Sequence, residues 1–154
     1  MNMKLYRIVQ DKKRCSDLSG TGSFRYVGRW NSKGTYMLYT SENSSLAYLE
    51  SLVYFDRILL PPKLFCVQLE IDDTFPIYIV KDADYNTNWK KLALLENQQS
   101  GNLWMSNKKY AGIKIRSAIN TLEYNYLLNP LFPKYYDFVK VNSVTEIEVD
   151  GRLV

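Results

Sequence analysis

Arg29 follows a glycine and precedes Trp30-Asn31, a grouping that would set a guanidinium, an aromatic face and an amide around one ligand. A guanidinium suits a phosphate because its planar fork donates paired hydrogen bonds and keeps its charge. The plain alternative is a surface arginine beside a core tryptophan in a turn. Glu50 is the second candidate. It lies three and four residues from Ala47 and Leu46, and again from Val53 and Tyr54, next to the apolar stripe of a predicted helix that would partly bury its carboxylate. A solvated surface glutamate is the alternative there. Tyr39-Thr40-Ser41 ends the run before that helix and would share a cleft with Glu50. Ser117 ends a later predicted strand and would act as a hydrogen-bonding group rather than a nucleophile.

The chain has no histidine. Its absence removes Ser-His-Asp and Cys-His hydrolase sites, histidine general bases and His-ligated zinc together. Carboxylates, arginines, hydroxyls and amides are left to do any chemistry, and no metal site is expected. Gly20-x-Gly22 stands too far from Gly28 for a dinucleotide fingerprint, and there is no phosphate-binding P-loop motif. Lys12-Lys13-Arg14 with Phe24, Arg25, Tyr26, Arg29 and Trp30 interleaves basic and aromatic residues as single-strand nucleic-acid binders do, but most such stretches are solvated faces.

The 154 residues, 46% hydrophobic and 14% aromatic, fit one globular domain, 1–154. The net charge of +4 is uneven: residues 1–34 carry +6 and the remainder −2, which favours an anionic ligand near the N-terminal part. Cys15 and Cys66 are too few for a disulfide framework and point to a reducing compartment; Cys15, beside cations but without a base, reads as an ordinary exposed or half-buried thiol. With no signal-peptide pattern and no run near the roughly 18 apolar residues of a membrane span, the expectation is a soluble cytoplasmic protein.

These residues need elements to position them. Strands are predicted at 5–9, 36–40, 65–71, 77–80, 112–118, 138–141 and 147–149, and helices at 44–59 and from Trp89 to about Gln98, the latter ended by Gly101. The stretch 11–22 reads as loop, and 119–129 as an Asn- and Tyr-rich stretch without an assigned element. Strands outnumber helices without regular alternation, so the predicted class is α+β with a mixed or antiparallel sheet and flanking helices.

The ordered set Leu5-Tyr6-Arg7-Ile8, Gly28-Arg29-Trp30-Asn31 with Gly34, Tyr39-Thr40-Ser41, Ala47 and Glu50, Ser117-Ala118 and Asn129-Pro130 resembles the RES-domain family, the toxin component of bacterial RES/Xre-type toxin-antitoxin systems. Arg116 stands before Ser117 where that family usually has proline, and Val27 replaces a glycine often found before the Gly-Arg pair. The resemblance implies a fold like that of ADP-ribosyltransferases and an activity that consumes NAD as substrate, with no prosthetic group. It implies that Glu50 stabilises an oxocarbenium-like ribosyl cation. Arg29, with Arg7, would hold the pyrophosphate, Tyr39 would stack on the nicotinamide or fix its ribose, and Ser117 would hydrogen-bond the dinucleotide. It further implies a helix-turn-helix antitoxin covering the site and a homodimer, with no direct nucleic-acid or membrane binding.

Nicotinamide leaves a pyridinium glycoside as a neutral molecule, so this cleavage needs no general acid and a histidine-free site is no handicap. Three functions stay open from the sequence. They are NAD hydrolysis or phosphorolysis, protein ADP-ribosylation by the same site, and an RNA-binding or nucleolytic domain.

Overall fold

The computed structural model describes residues 2–54 and 63–153. Seven strands form one mixed sheet: β1 (Met3–Val9), β2 (Leu38–Ser41), β3 (Lys63–Ile71), β4 (Ile77–Ile79), β5 (Gly112–Arg116), β6 (Tyr124–Leu128) and β7 (Val139–Glu148). Their order across the sheet is β4-β5-β6-β2-β1-β3-β7, antiparallel throughout except for the parallel β4–β5 pair. Helices α1 (Thr21–Arg25), α2 (Ser44–Tyr54), α3 (Leu95–Ser106) and α4 (Tyr135–Phe138) flank it, giving the α+β class.

Both faces of the sheet are covered. Leu5, Val67, Leu69, Leu128, Tyr135 and Val139 belong to one buried cluster, and Trp30, Met37, Ile113, Ile115 and Leu127 to another. Leu127 and Leu128 are neighbours in sequence and point into different clusters, as the alternation of a strand requires. That two-sided burial hides β6 from pattern reading: a run apolar on both faces loses its period of two. Residues 119–129, expected to hold no element, thus contain a central strand.

Other elements differ from expectation for local reasons. Strands expected separately at 138–141 and 147–149 are the single strand β7, which pairs with β3 along its length through an irregularity between Gln68 and Leu69. Its middle is polar because it is an exposed edge. The stretch 11–22 holds a short 3-10 turn at Lys12–Arg14, with Asp11 Oδ1 accepting from the Lys13 amide, and the start of α1. Of the helix expected at 44–59, α2 covers 44–54 and the rest lies outside the described residues. The helix expected at 89–98 begins instead at Leu95, because Asn88 and Ala93 adopt φ of 60° and 56°, which a right-handed helix cannot contain. Gly101 lies inside α3 and does not end it.

Tyr135, 2% exposed, donates its hydroxyl hydrogen to the Leu18 carbonyl at 2.8 Å and ties α4 to the N-terminal segment. Burial pushes its phenol well above the ordinary tyrosine value. The folded state therefore favours the neutral phenol, and this contribution is intact below about pH 10 and lost as pH rises beyond it. Tyr135→Phe should cost about 1–3 kcal/mol by leaving the carbonyl unpaired. In urea unfolding, the wild type should lose stability above pH 10 more steeply than this variant.

Candidate functional site

β1 and β2 pair at one position, Tyr6 opposite Ser41, whereas β1 and β3 are in register from Met3 to Val9. Beside that short junction lies a cleft of about 340 Å³, bordered by β1, β2, α2, the end of β5 and the segment 20–31. Its size is within the range of small-molecule sites.

Glu50 reaches this cleft because α2 is fixed at its start. Asn43 Oδ1 accepts from the Leu46 amide at 2.8 Å, and Leu46 and Ala47 are buried, so Glu50 emerges one turn later at the edge of the buried stripe. Its Oε1 accepts two hydrogen bonds, from Ser117 Oγ and from Asn125 Nδ2, both 2.7 Å. Oε2 makes no hydrogen bond among the described residues. Ser117 is fully buried and its oxygen also accepts from the Ile119 and Asn120 amides at 3.1 Å. The contact with a dinucleotide implied for Ser117 is therefore corrected: a hydroxyl at 0% exposure, engaged on both sides, anchors Glu50 instead. The Ser117 turn is held by Arg116, whose Nη1 donates to the Thr121 carbonyl at 2.8 Å and whose Nε pairs with Asp82 at 3.2 Å.

The turn 28–31 also differs from expectation. Trp30 packs against Trp89 and Trp104 with ring centroids 6.0 and 5.7 Å apart, and is 4% exposed. Asn31 is 0% exposed, and its Nδ2 faces the carbonyls of Ser23, Tyr26 and Ser32. Both residues border the cleft, but their side chains offer a ligand no surface; they build the turn that carries Arg29. Tyr39 joins in: its hydroxyl donates to Asn31 Oδ1 at 2.6 Å and accepts from the Trp30 amide at 3.0 Å, and the residue borders the cleft. Gly28 permits this closeness, since a Cβ there would lie 2.5 Å from Asn31 Oδ1 and 2.7 Å from the Tyr39 oxygen.

Among the described residues four arginines border the cleft: Arg7, Arg14, Arg29 and Arg116. Arg29 Nη1 donates to the carbonyls of Trp89, Lys90 and Lys91 at 3.1, 2.8 and 3.2 Å. Its Nε and Nη2 make no hydrogen bond among the described residues, and that edge of the fork matches a phosphate. Arg7 Nη1 donates to the Asp17 carbonyl at 2.6 Å and pairs with no carboxylate among the described residues. Burial, and then the charge of Arg14, lower its pKa from the ordinary value. Two cations so close, one desolvated, favour an anion between them. Arg14, which sequence reading left within a basic run, is thus a cleft residue. Its Nη2 lies 3.3 Å from where a Gly22 Cβ would stand.

Cys15 is buried rather than exposed, and burial raises its thiol pKa, so it is not an activated nucleophile. Phe24 stacks on Tyr36 at 4.5 Å and Trp30 is internal, so two aromatics of the basic-aromatic stretch are engaged within the fold. Among the described residues no helix is long and apolar enough to cross a membrane.

The sequence model of the RES domain family matches residues 4–150. A relative named Toxin Res, from Yersinia enterocolitica serotype O:8, is 34% identical over 98% of this chain and 99% of its own. Another, named Prs ADP-ribosylating toxin and from a Sphingobium species (strain YBL2), is 26% identical over 100% of this chain and 98% of its own. A chain in the crystal structure of the M. tuberculosis MbcT-MbcA toxin-antitoxin complex has a similar fold, with a TM-score of 0.72 and 11% identity over 96% of this chain and 85% of that one.

Proposed function

Because the chain belongs to the RES domain family, we propose that it is the toxin of a bacterial toxin-antitoxin pair and acts by cleaving the nicotinamide–ribose bond of NAD. The observation that carries this reading is Glu50, one carboxylate oxygen anchored and the other facing a cleft that Arg7, Arg14, Arg29 and Arg116 border. A dinucleotide presents the complementary pattern: a pyrophosphate for the cations, and a ribosyl carbon that becomes positive as nicotinamide departs. A fixed carboxylate beside that carbon stabilises the transition state more than the ground state, which is what accelerates a reaction.

The free edge of Arg29 and the Arg7–Arg14 pair would grip the pyrophosphate, and the ring of Tyr39 would lie against the nicotinamide. Most of the acceleration asked of the protein beyond Glu50 is positioning, since a pinned dinucleotide exposes one face of its anomeric carbon to an acceptor. Arg29→Gln should raise KM for NAD by roughly 10- to 100-fold with a smaller change in kcat. Arg29→Lys should restore little, because a point charge cannot hold the 89–91 carbonyls and a phosphate together. Steady-state kinetics at fixed ionic strength would check both.

Transfer of ADP-ribose to a protein is the second reading, favoured by the name of the Sphingobium relative. NAD labelled in its adenine half separates the two: label in free ADP-ribose or its phosphate supports hydrolysis or phosphorolysis, and label on a protein band supports transfer. NAD left intact by the antitoxin-free protein, with and without phosphate, would contradict both. An antitoxin that covers the cleft would meet the exposed Tyr26 and Val27 at its border, an apolar edge suited to a protein partner.

A further inference from the structure

Asn125 and Ser41 complete a relay whose direction is fixed by charge. An ionised carboxylate only accepts, so Glu50 Oε1 must receive the Asn125 amide N–H, at 2.7 Å. The other end of that amide is then an acceptor, and Ser41 Oγ donates to it at 2.7 Å. Ser41 is 3% exposed, and the register that sets it opposite Asn125 across β2 and β6 also sets it opposite Tyr6 on β1. On the other side, the Ile119 and Asn120 amides occupy the lone pairs of Ser117, so its hydrogen also points at Oε1. Among the described residues the two donors that reach Glu50, Ser117 Oγ and Asn125 Nδ2, meet at Oε1 and leave Oε2 to the cleft.

Building on the reading of Glu50 as the charge that stabilises the ribosyl cation, we infer that Asn125, oriented by Ser41, is a positioning residue: it holds Glu50 with Oε1 anchored and Oε2 presented to the substrate. Without the Ser41 bond the amide is free to turn and set its own oxygen against the carboxylate. Asn125 itself borders the cleft, and the role assigned to it is exerted through Glu50.

Asn125→Asp is the discriminating variant. It keeps the shape and the Ser41 bond but places a second carboxylate against Oε1, and two carboxylates at that distance retain a shared proton to higher pH. The other charged or titratable groups bordering the cleft include Tyr6, Arg7, Arg14, Arg29, Tyr39, Arg116 and Asp17, and Asp17 is held below the usual carboxylate range by its bonds to Ser19. The acid limb of kcat for nicotinamide release should therefore move up by roughly one pH unit or more relative to the wild type, with KM within about twofold.

Asn125→Ala should lower kcat roughly 10- to 100-fold at unchanged KM, and Ser41→Ala should do the same to a smaller extent. Thermal melts of all three establish folding, and if the alanine variant fails to fold, the isosteric aspartate decides through its pH profile. A profile superimposable on the wild type, or a loss expressed in KM alone, would overturn the role while leaving NAD cleavage standing. No nicotinamide release by the wild type would overturn the functional reading, and this role with it.

Discussion

Glu50→Gln is expected to lower the rate of nicotinamide release from NAD by about a thousandfold, equivalent to roughly 4 kcal/mol of lost transition-state stabilisation. More than a charge is lost. Ser117 and Asn125 both donate to Oε1 at 2.7 Å, so a glutamine at this position must place its carbonyl oxygen there. Its NH2 group then occupies the position of Oε2 and points a partial positive charge at a carbon that is itself becoming positive. The anchoring that makes Glu50 effective thus makes its amide worse than neutral. Under the proposal the arginines carry binding, so KM should change by no more than a few-fold, and the melting temperature should stay near the wild-type value. A variant within tenfold of the wild-type rate would remove Glu50 from the role assigned to it.

Gly101→Ala should produce the largest loss of stability. In α3 an alanine is intrinsically favoured over glycine by about 1 kcal/mol, so helix propensity alone predicts a gain. Packing reverses the sign. A Cβ on residue 101 would lie 1.6 Å from the Trp30 carbonyl oxygen, and a backbone atom in a hydrogen-bonded turn cannot rotate aside as a side chain can. Either α3 or the turn 28–31 must shift, at a cost of about 3 kcal/mol or more. Arg29 rides on that turn, so KM for NAD should rise with the loss of stability. Urea unfolding followed by tryptophan fluorescence would show the change, Trp30 and Trp104 being on the two sides of the contact. An alanine variant as stable as the wild type would mean that α3 and the turn are not in such close approach.

The same contact explains part of what the sequence could and could not convey. Glu50 was legible because α2 has its cap signals and its apolar stripe in order, and the helix makes that spacing spatial. Gly101 read as a helix terminator, since glycine has that use far more often than it accommodates a neighbouring carbonyl. The Trp89–Leu92–Leu95 spacing suggests a helix, yet Trp89 belongs to a loop, where it stacks on Trp30 and meets Tyr85 at a tilt while its carbonyl accepts from Arg29. That carbonyl also accepts from Asn97, a fully buried side chain, so the loop is fixed by tertiary bonds with no local period.

Trp30 and Asn31, expected to face a ligand, are buried in the turn that carries Arg29. Their adjacency to Arg29 is real, but successive residues in a turn face different ways: Trp30 and Asn31 are buried, whereas Arg29 Nε and Nη2 make no hydrogen bond among the described residues. Asn125 had no signal at all. An asparagine inside Tyr-Asn-Tyr-Leu-Leu becomes part of the site only through the β2–β6 register, which sets it opposite Ser41. Long-range pairings of this kind decide which polar residues meet, and one sequence without its fold does not contain them in readable form.

In the proposed reaction this cleft breaks the nicotinamide–ribose bond with Glu50 as the stabilising charge. The direct measurement is the time course of free nicotinamide released from NAD by the antitoxin-free protein, run beside Glu50→Gln at equal concentration and with both proteins shown to be folded. Steady release by the wild type and about a thousandfold slower release by the variant is the predicted result. No release by the wild type, or equal release by the two, would contradict it.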